Sequence, residues 1–185
     1  MTVLQIIMVW RAPAEHASKA CAPSVLLFLL GLCSACASTD EGTLFKVTAA
    51  LADSTCGTGA ADAKDNWTFE IRLKKDNTTL TWYDVTNGTS TDGTISDDKF
   101  AVSDTNEYVV TSASATSVGC TVRRHDSYTG TATLDKTGTI TKLEGDIVFK
   151  YSQVTGYYCD PLIGATEGFD DLPCEVDYTF AAVTE

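Results

Sequence analysis

From Asn66 to Lys74 apolar and polar residues alternate without a break. Trp67, Phe69, Ile71 and Leu73 fall on one face, and Thr68, Glu70, Arg72 and Lys74 on the other. A period of two is the mark of a strand with one buried face. Lys75-Asp76-Asn77 reads as a turn, after which Thr78–Val85 resumes the pattern with Leu80 and Trp82 together, so the two runs predict a hairpin. Weaker runs of the same kind cover Leu44–Leu51, Thr94-Ile95, Phe100–Val102, Glu107–Thr111, Cys120–Tyr128, Thr131–Asp135 and Thr139–Lys142. Gly145–Gln153 sets Ile147, Phe149 and Tyr151 on one face. Cys174–Val183 does so with Val176, Tyr178, Phe180 and Ala182.

This spacing predicts an all-β chain of about eight to ten strands. Short turns between consecutive runs favour an antiparallel up-and-down meander, and closure into a barrel removes exposed edges. A β-sandwich is the alternative. The β-branched residues agree, with 27 threonines after residue 35. Beyond residue 40 no stretch shows a capped 3.6-residue period.

The first residues follow another pattern. Arg11 and Lys19 precede the apolar run Val25–Leu32, and the small residues Ser34, Ala35, Cys36 and Ala37 follow it. A basic region, a short apolar core and a small-residue site define an export signal, and the run is too short for a membrane span. Met8 is an alternative start. Ser34-Ala35-Cys36 resembles the box of bacterial lipoproteins, where the cysteine is lipidated and becomes the first residue; cleavage at Ala35-Cys36-Ala37, leaving Ser38 first, is the rival. The expected organisation is a signal peptide over 1–35, a flexible tether over 36–43 and one barrel domain over 44–185. The protein is then exported, and either held on the bacterial outer membrane by lipid or free in the periplasm or outside the cell.

Charge narrows the partners. The chain of 185 residues carries 25 acidic and 13 basic side chains, net −12. Loss of Glu15, Arg11 and Lys19 with the leader makes the balance 24 to 11, net −13. Nucleic acid needs a basic footprint and is excluded as a partner. Membrane contact is expected through the N-terminal lipid alone. A monomer is expected, and no protein partner is indicated.

Beyond Cys36 four cysteines remain: Cys56, Cys120, Cys159 and Cys174. An even number in an exported chain reads as two disulfides, with three connectivities open. No C-x-x-C or H-x-x-x-H spacing offers zinc a site. Cys159 and Cys174 bracket a segment with Pro161, Gly164, Gly168 and Pro173, so a bridge across that loop is the simplest pairing and leaves Cys56 with Cys120.

Here the chain resembles small bacterial secreted lipoproteins with a lipocalin-like barrel, in its Cys36 leader, its meander and its length. The likeness is one of architecture. Trp67 follows Asp65-Asn66 where lipocalins carry G-x-W, and Cys174–Val183 lacks the arginine that usually partners that tryptophan. What the resemblance implies is a barrel whose interior holds an apolar ligand.

Catalytic chemistry finds little support, and the protein is expected not to be an enzyme. His125, among Thr121–Asp126, reads as a surface strand histidine. Gly88-Thr89-Ser90-Thr91-Asp92 misses the G-x-S-x-G elbow at its last place. Asp97-Asp98 and Asp170-Asp171 read as solvated turn acids, with a loop calcium site as the weaker reading. No metal site and no cofactor are assigned. Alternation puts Arg124 on the face of Val122, pointing inward, as an anion contact or in an ion pair with Asp126 or another acid. The sequons at Asn66, Asn77 and Asn87 read as chance in a threonine-rich bacterial chain.

Two functions fit. One is a structural or interaction lipoprotein of the cell envelope with a filled barrel. The other is a binding module whose lumen takes a small apolar ligand at Trp67, Phe69, Ile71, Trp82, Arg124, Phe149, Tyr151 and Tyr178, with Leu80 and Phe180 also inside. Mass spectrometry of the mature protein should find Cys36 lipidated and N-terminal; an unmodified chain starting at Ser38 would sink that assignment.

Overall fold

The structure is a computed structural model and describes residues 42–57, 63–116, 118–165 and 168–184. The leader, Cys36 and most of the tether lie outside the described residues. Eight strands follow one another: β1 (Thr43–Ser54), β2 (Asn66–Asp76), β3 (Thr79–Asp84), β4 (Thr89–Ser96), β5 (Lys99–Thr111), β6 (Cys120–Leu134), β7 (Ile140–Gln153) and β8 (Cys174–Thr184). Each pairs antiparallel with the next, and β8 returns to β1, closing an up-and-down barrel. The only helical element among the described residues is a 3-10 turn at Asp160–Leu162. The barrel is the architecture that lipocalin-like proteins share, and the sandwich alternative falls because β1 and β8 pair from Phe45↔Thr184 to Ser54↔Val176.

The strands number eight because three pairs of expected runs are continuous. Phe100–Val102 and Glu107–Thr111 both belong to β5, Cys120–Tyr128 and Thr131–Asp135 join in β6, and Thr139–Lys142 and Gly145–Gln153 join in β7. Asn77 and Asp97 turn the β2–β3 and β4–β5 hairpins with φ of 53° each, a left-handed conformation that Asn and Asp tolerate better than most residues.

Alternation decides what fills the barrel. Phe45, Val47 and Ala49 of β1, Phe69, Ile71 and Leu73 of β2, and Leu80 and Trp82 of β3 are buried. So are Ile147, Phe149 and Tyr151 of β7 and Val176, Tyr178, Phe180 and Ala182 of β8. One transverse row shows how bulk is placed. Phe100 is in register with Gly130, Gly130 with Gly145, and Gly145 with Phe180. A Cβ at either glycine would stand 2.7 Å from the other's Cα, closer than packed atoms allow. With no side chains between them, the outer two phenylalanines lean together, ring centroids 6.3 Å apart. Large residues beside glycine let an interior only just wide enough for side chains be filled.

The two rims differ. The hairpin turns after β2, β4 and β6 close one rim, where the paired part of β1 also begins. The opposite rim carries the long connections after β1, β5 and β7. Phe169, from the segment between β7 and β8, is 1% exposed and packs 5.7 Å from the Tyr151 ring, covering part of that rim.

The disulfides lie at this covered rim, and their pairing is not the expected one. Cys56 is bonded to Cys174, and Cys120 to Cys159. Strand register, not nearness along the chain, brings the sulfurs together. Ser54 faces Val176 across β1 and β8, so Cys56 meets Cys174 just above them. Val122 faces Gln153 across β6 and β7, so the chain leaving β7 carries Cys159 back to Cys120. Non-reducing peptide mapping should recover these two links and no Cys159–Cys174 peptide. Loss of the 118-residue-separated bridge in Cys56→Ser/Cys174→Ser should cost about 4–5 kcal/mol of stability, as for long closed loops.

Candidate functional site

Nearest the covered rim the inner face turns polar. Val122, Arg124, Asp126 and Tyr128 are alternate residues of β6 and share its inner side. Asp126 is 4% exposed. Arg124 Nε donates to Asp126 Oδ1 at 2.6 Å and its Nη2 to Oδ2 at 2.7 Å, a two-pronged pair within one strand. The guanidinium also lies 4.7 Å from the centroid of the Phe149 ring and 5.1 Å from that of Tyr108, and it donates a hydrogen bond to Tyr151. Cation–π contacts of this kind strengthen where water is excluded.

Burial sets the electrostatics. It pushes the carboxyl of Asp126 above the ordinary carboxylate range, with Arg124 pulling it part of the way back. Burial opposes the charge on Arg124, but Asp126 outweighs it and holds the guanidinium protonated. The phenols of Tyr108, Tyr151 and Tyr128 are all raised, first by burial, so they are neutral donors and acceptors at any physiological pH.

The expected lining residues are all on the inner face, in three groups. Trp67 stacks on Phe69 at 4.2 Å and reaches Phe149 at 6.1 Å and Tyr178 at 6.2 Å. It points inward but is only half-buried. Arg124 gathers Phe149 and Tyr151. Trp82, 4% exposed, meets Tyr128 at 4.8 Å and Phe180 at 6.2 Å. Ile71 is fully buried in the core, and no aromatic contact involves it. Tyr108, Tyr128 and Phe169 belong to the same interior and lie outside the expected lining. The alternation of β6 sets Tyr128 on the face of Val122, whereas Phe169 lies in irregular chain that carries no periodic signal.

The other candidates are on the outside. His125 is exposed, with Nδ1 2.9 Å from Thr105 Oγ1. Arg123 pairs with Glu107 at 2.7 Å on the outer face. Asp97 and Asp98 occupy an exposed hairpin turn, and Asp170 and Asp171 an exposed loop. Among the described residues no three His, Cys, Asp or Glu side chains converge as a metal site would require. A depression of about 490 Å3 lies beside Phe100, Gly130 and Gly145, edged by Lys99, Thr129, Thr131, Glu144 and Asp146, and opens broadly to solvent.

Arg124 therefore carries no free charge for an anion, because Asp126 neutralises it at both oxygens. Nor does Asp126 have an oxygen left unengaged, as a general acid facing a substrate would need. No family model matches the chain, and neither the curated proteins nor the solved structures hold a match.

Asp126→Asn should destabilise the protein towards the lower end of about 3–5 kcal/mol in urea unfolding at pH 7, because it strands a guanidinium that keeps some access to water. The folded chain holds the Asp126 proton more tightly than the unfolded one. The contribution of that proton is therefore complete below the ordinary carboxyl pKa and is lost as pH rises through the raised value. The gap between wild type and Asp126→Asn should accordingly widen in acid. Arg124→Met combined with Asp126→Leu should recover most of the loss, since well-packed apolar pairs commonly replace buried ion pairs without cost. A gap that stays constant with pH would show that the charge of Asp126 is not what the interior responds to.

Proposed function

We propose that this chain is a non-enzymatic, exported lipoprotein of the cell envelope, anchored through Cys36, whose barrel serves a structural or interaction role and does not store a small molecule. The observation that carries this reading is the set of ring contacts crossing the lumen. Trp82 of β3 touches Tyr128 of β6 and Phe180 of β8, Phe100 of β5 touches Phe180, and Trp67 of β2 touches Phe149 of β7. Each contact joins strands that are not neighbours in the sheet, so the rings meet across the space an apolar ligand would need.

Two further observations support the reading. The two disulfides suit an oxidising compartment outside the cytoplasm. The small residues Ser34-Ala35-Cys36-Ala37, directly after the apolar run Val25–Leu32, support export and a lipid on Cys36. Membership of the secreted lipoproteins with lipocalin-like barrels is part of the proposal, and the fold agrees with it at the level of architecture. A ligand-binding lumen is the second reading, favoured by the half-buried Trp67 and Tyr108.

Titration of the mature protein with fatty acids and a nonpolar dye should leave its blue-shifted tryptophan emission unchanged. A saturable shift that disappears in Trp82→Ala, with the variant still folded, would replace the structural reading with the binding one.

A further inference from the structure

The barrel is closed, but one seam is short. β4 and β5 pair only from Gly93↔Val102 to Ser96↔Lys99. Above that point β4 continues as Thr89–Asp92, paired with β3 alone, and β5 continues as Ser103–Thr111, paired with β6 alone. The two strands splay. Residues of β5 that continue the inner-face alternation of Phe100 and Val102 are exposed there: Asp104 and Asn106 are open to solvent, and Tyr108 is half-buried. Nine residues of β5 thus present a backbone edge that no strand among the described residues pairs with on the β4 side, the kind of edge that accepts another strand.

The edge is blunted by charge. Thr105 donates its N–H to Asp104 Oδ1 at 2.8 Å, so this N–H points into the seam, and Asn106 Nδ2 donates to Oδ2 at 2.9 Å. Asp92 stands on the opposite side and accepts from Thr81 Oγ1 at 2.6 Å. The neighbouring cations are held elsewhere, Arg123 by Glu107 and Arg124 by Asp126. At the far end of the edge Val109 is 67% exposed.

We propose that the β4–β5 seam is a docking site for an extended polypeptide segment rich in lysine or arginine, which adds as a strand along Ser103–Thr111. The charge of the seam selects the occupant. A second copy of this chain would bring Asp104 against Asp104 in a molecule of net charge −12, and like charges across a strand pair destabilise it. A basic strand reverses that sign. Its carbonyl takes the Thr105 N–H, Asp104 swings to a lysine or arginine of the incoming strand, and an apolar residue covers Val109. The proposal rests on the interaction reading above and gives the partner its chemistry.

The test uses the mature protein, isotopically labelled, with a library of nine-residue capped peptides alternating Lys or Arg with Val or Thr, and matched peptides in which Glu replaces the basic residues. Basic peptides should saturate and shift amides within Thr89–Asp92 and Ser103–Thr111, and the acidic set should bind at least tenfold more weakly. Asp104→Lys should weaken the basic peptides at least tenfold with thermal stability unchanged, and Asp92→Lys serves the same purpose should the first variant fail to fold. Asp135→Lys, in the turn between β6 and β7, should have little effect. The proposal is overturned if no basic peptide saturates, if acidic and basic sets bind alike, if the shifts lie elsewhere, if Asp135→Lys weakens binding as much, or if the labelled protein self-associates through the same amides. None of these outcomes alters the dye titration, so the filled lumen stands or falls separately.

Discussion

An eight-stranded barrel has a lumen that side chains can just fill, and every inward position must be sized to that width. The row Phe100–Gly130–Gly145–Phe180 shows the constraint at its tightest. Four bulky residues in a row would not fit, and four small ones would leave a void with no partner atoms on one side. Two glycines flanked by two phenylalanines let the rings meet over bare backbone. Leu80–Gly93–Val102 repeats the device on β3, β4 and β5, where a Cβ at Gly93 would lie 2.8 Å from the Cα of Val102. Trp82 and Phe180 then fill the space that these glycines leave.

The polar pair follows from the same geometry. Alternation along β6 sends Arg124 and Asp126 to the lumen with Val122 and Tyr128, and neither charge could be buried there alone. Two residues apart on one strand, they point the same way and close a two-pronged pair without help from another strand. Tyr108 and Phe149, from the strands on either side, enclose the guanidinium. A barrel lined only with aromatics would tolerate rings sliding past one another. An ion pair held at fixed distances favours one arrangement, though burying it adds little to stability.

How much of this was legible depends on where periodicity survives. β2, β8 and the Gly145–Gln153 part of β7 show unbroken alternation, and their inner faces are the ones the sequence predicts. β5 was split into two runs because Asp104 and Asn106 are polar at positions of inward parity, and polar residues there read as a break. They are polar because β4 has parted from β5 and water reaches them. β6 divides at Gly130, which has no side chain to carry the alternation, and β7 divides just before Gly145, because the irregularity at Thr133/Leu134 shifts the buried parity from Ile140 to Leu143. Here each glycine is the other's partner. The cysteine pairing was illegible for a related reason. Sequence distance ranked Cys159–Cys174 first, while the register of β1 with β8 and of β6 with β7 decided it. For the interior the facing of Trp67, Phe69 and Trp82 is legible and the occupancy of the lumen is not, because alternation says which way a side chain points and not how far it reaches.

Covalent and noncovalent closure are distributed unevenly, and that unevenness locates the weak seam. The rim with tight hairpins needs no bridge, since turns of two residues after β2 and β4 hold their strands at short loop-closure cost. The opposite rim has long connections, and both disulfides are there, one beside the β1–β8 seam and one beside β6–β7. The β4–β5 seam has neither device. Its hairpin turn is at the far rim, neither described cystine reaches it, and its paired stretch is four residues on each strand. Separation above Gly93 therefore costs the barrel least there, and the acids of that edge would oppose a second copy of the same chain, since like charges across a strand pair destabilise it.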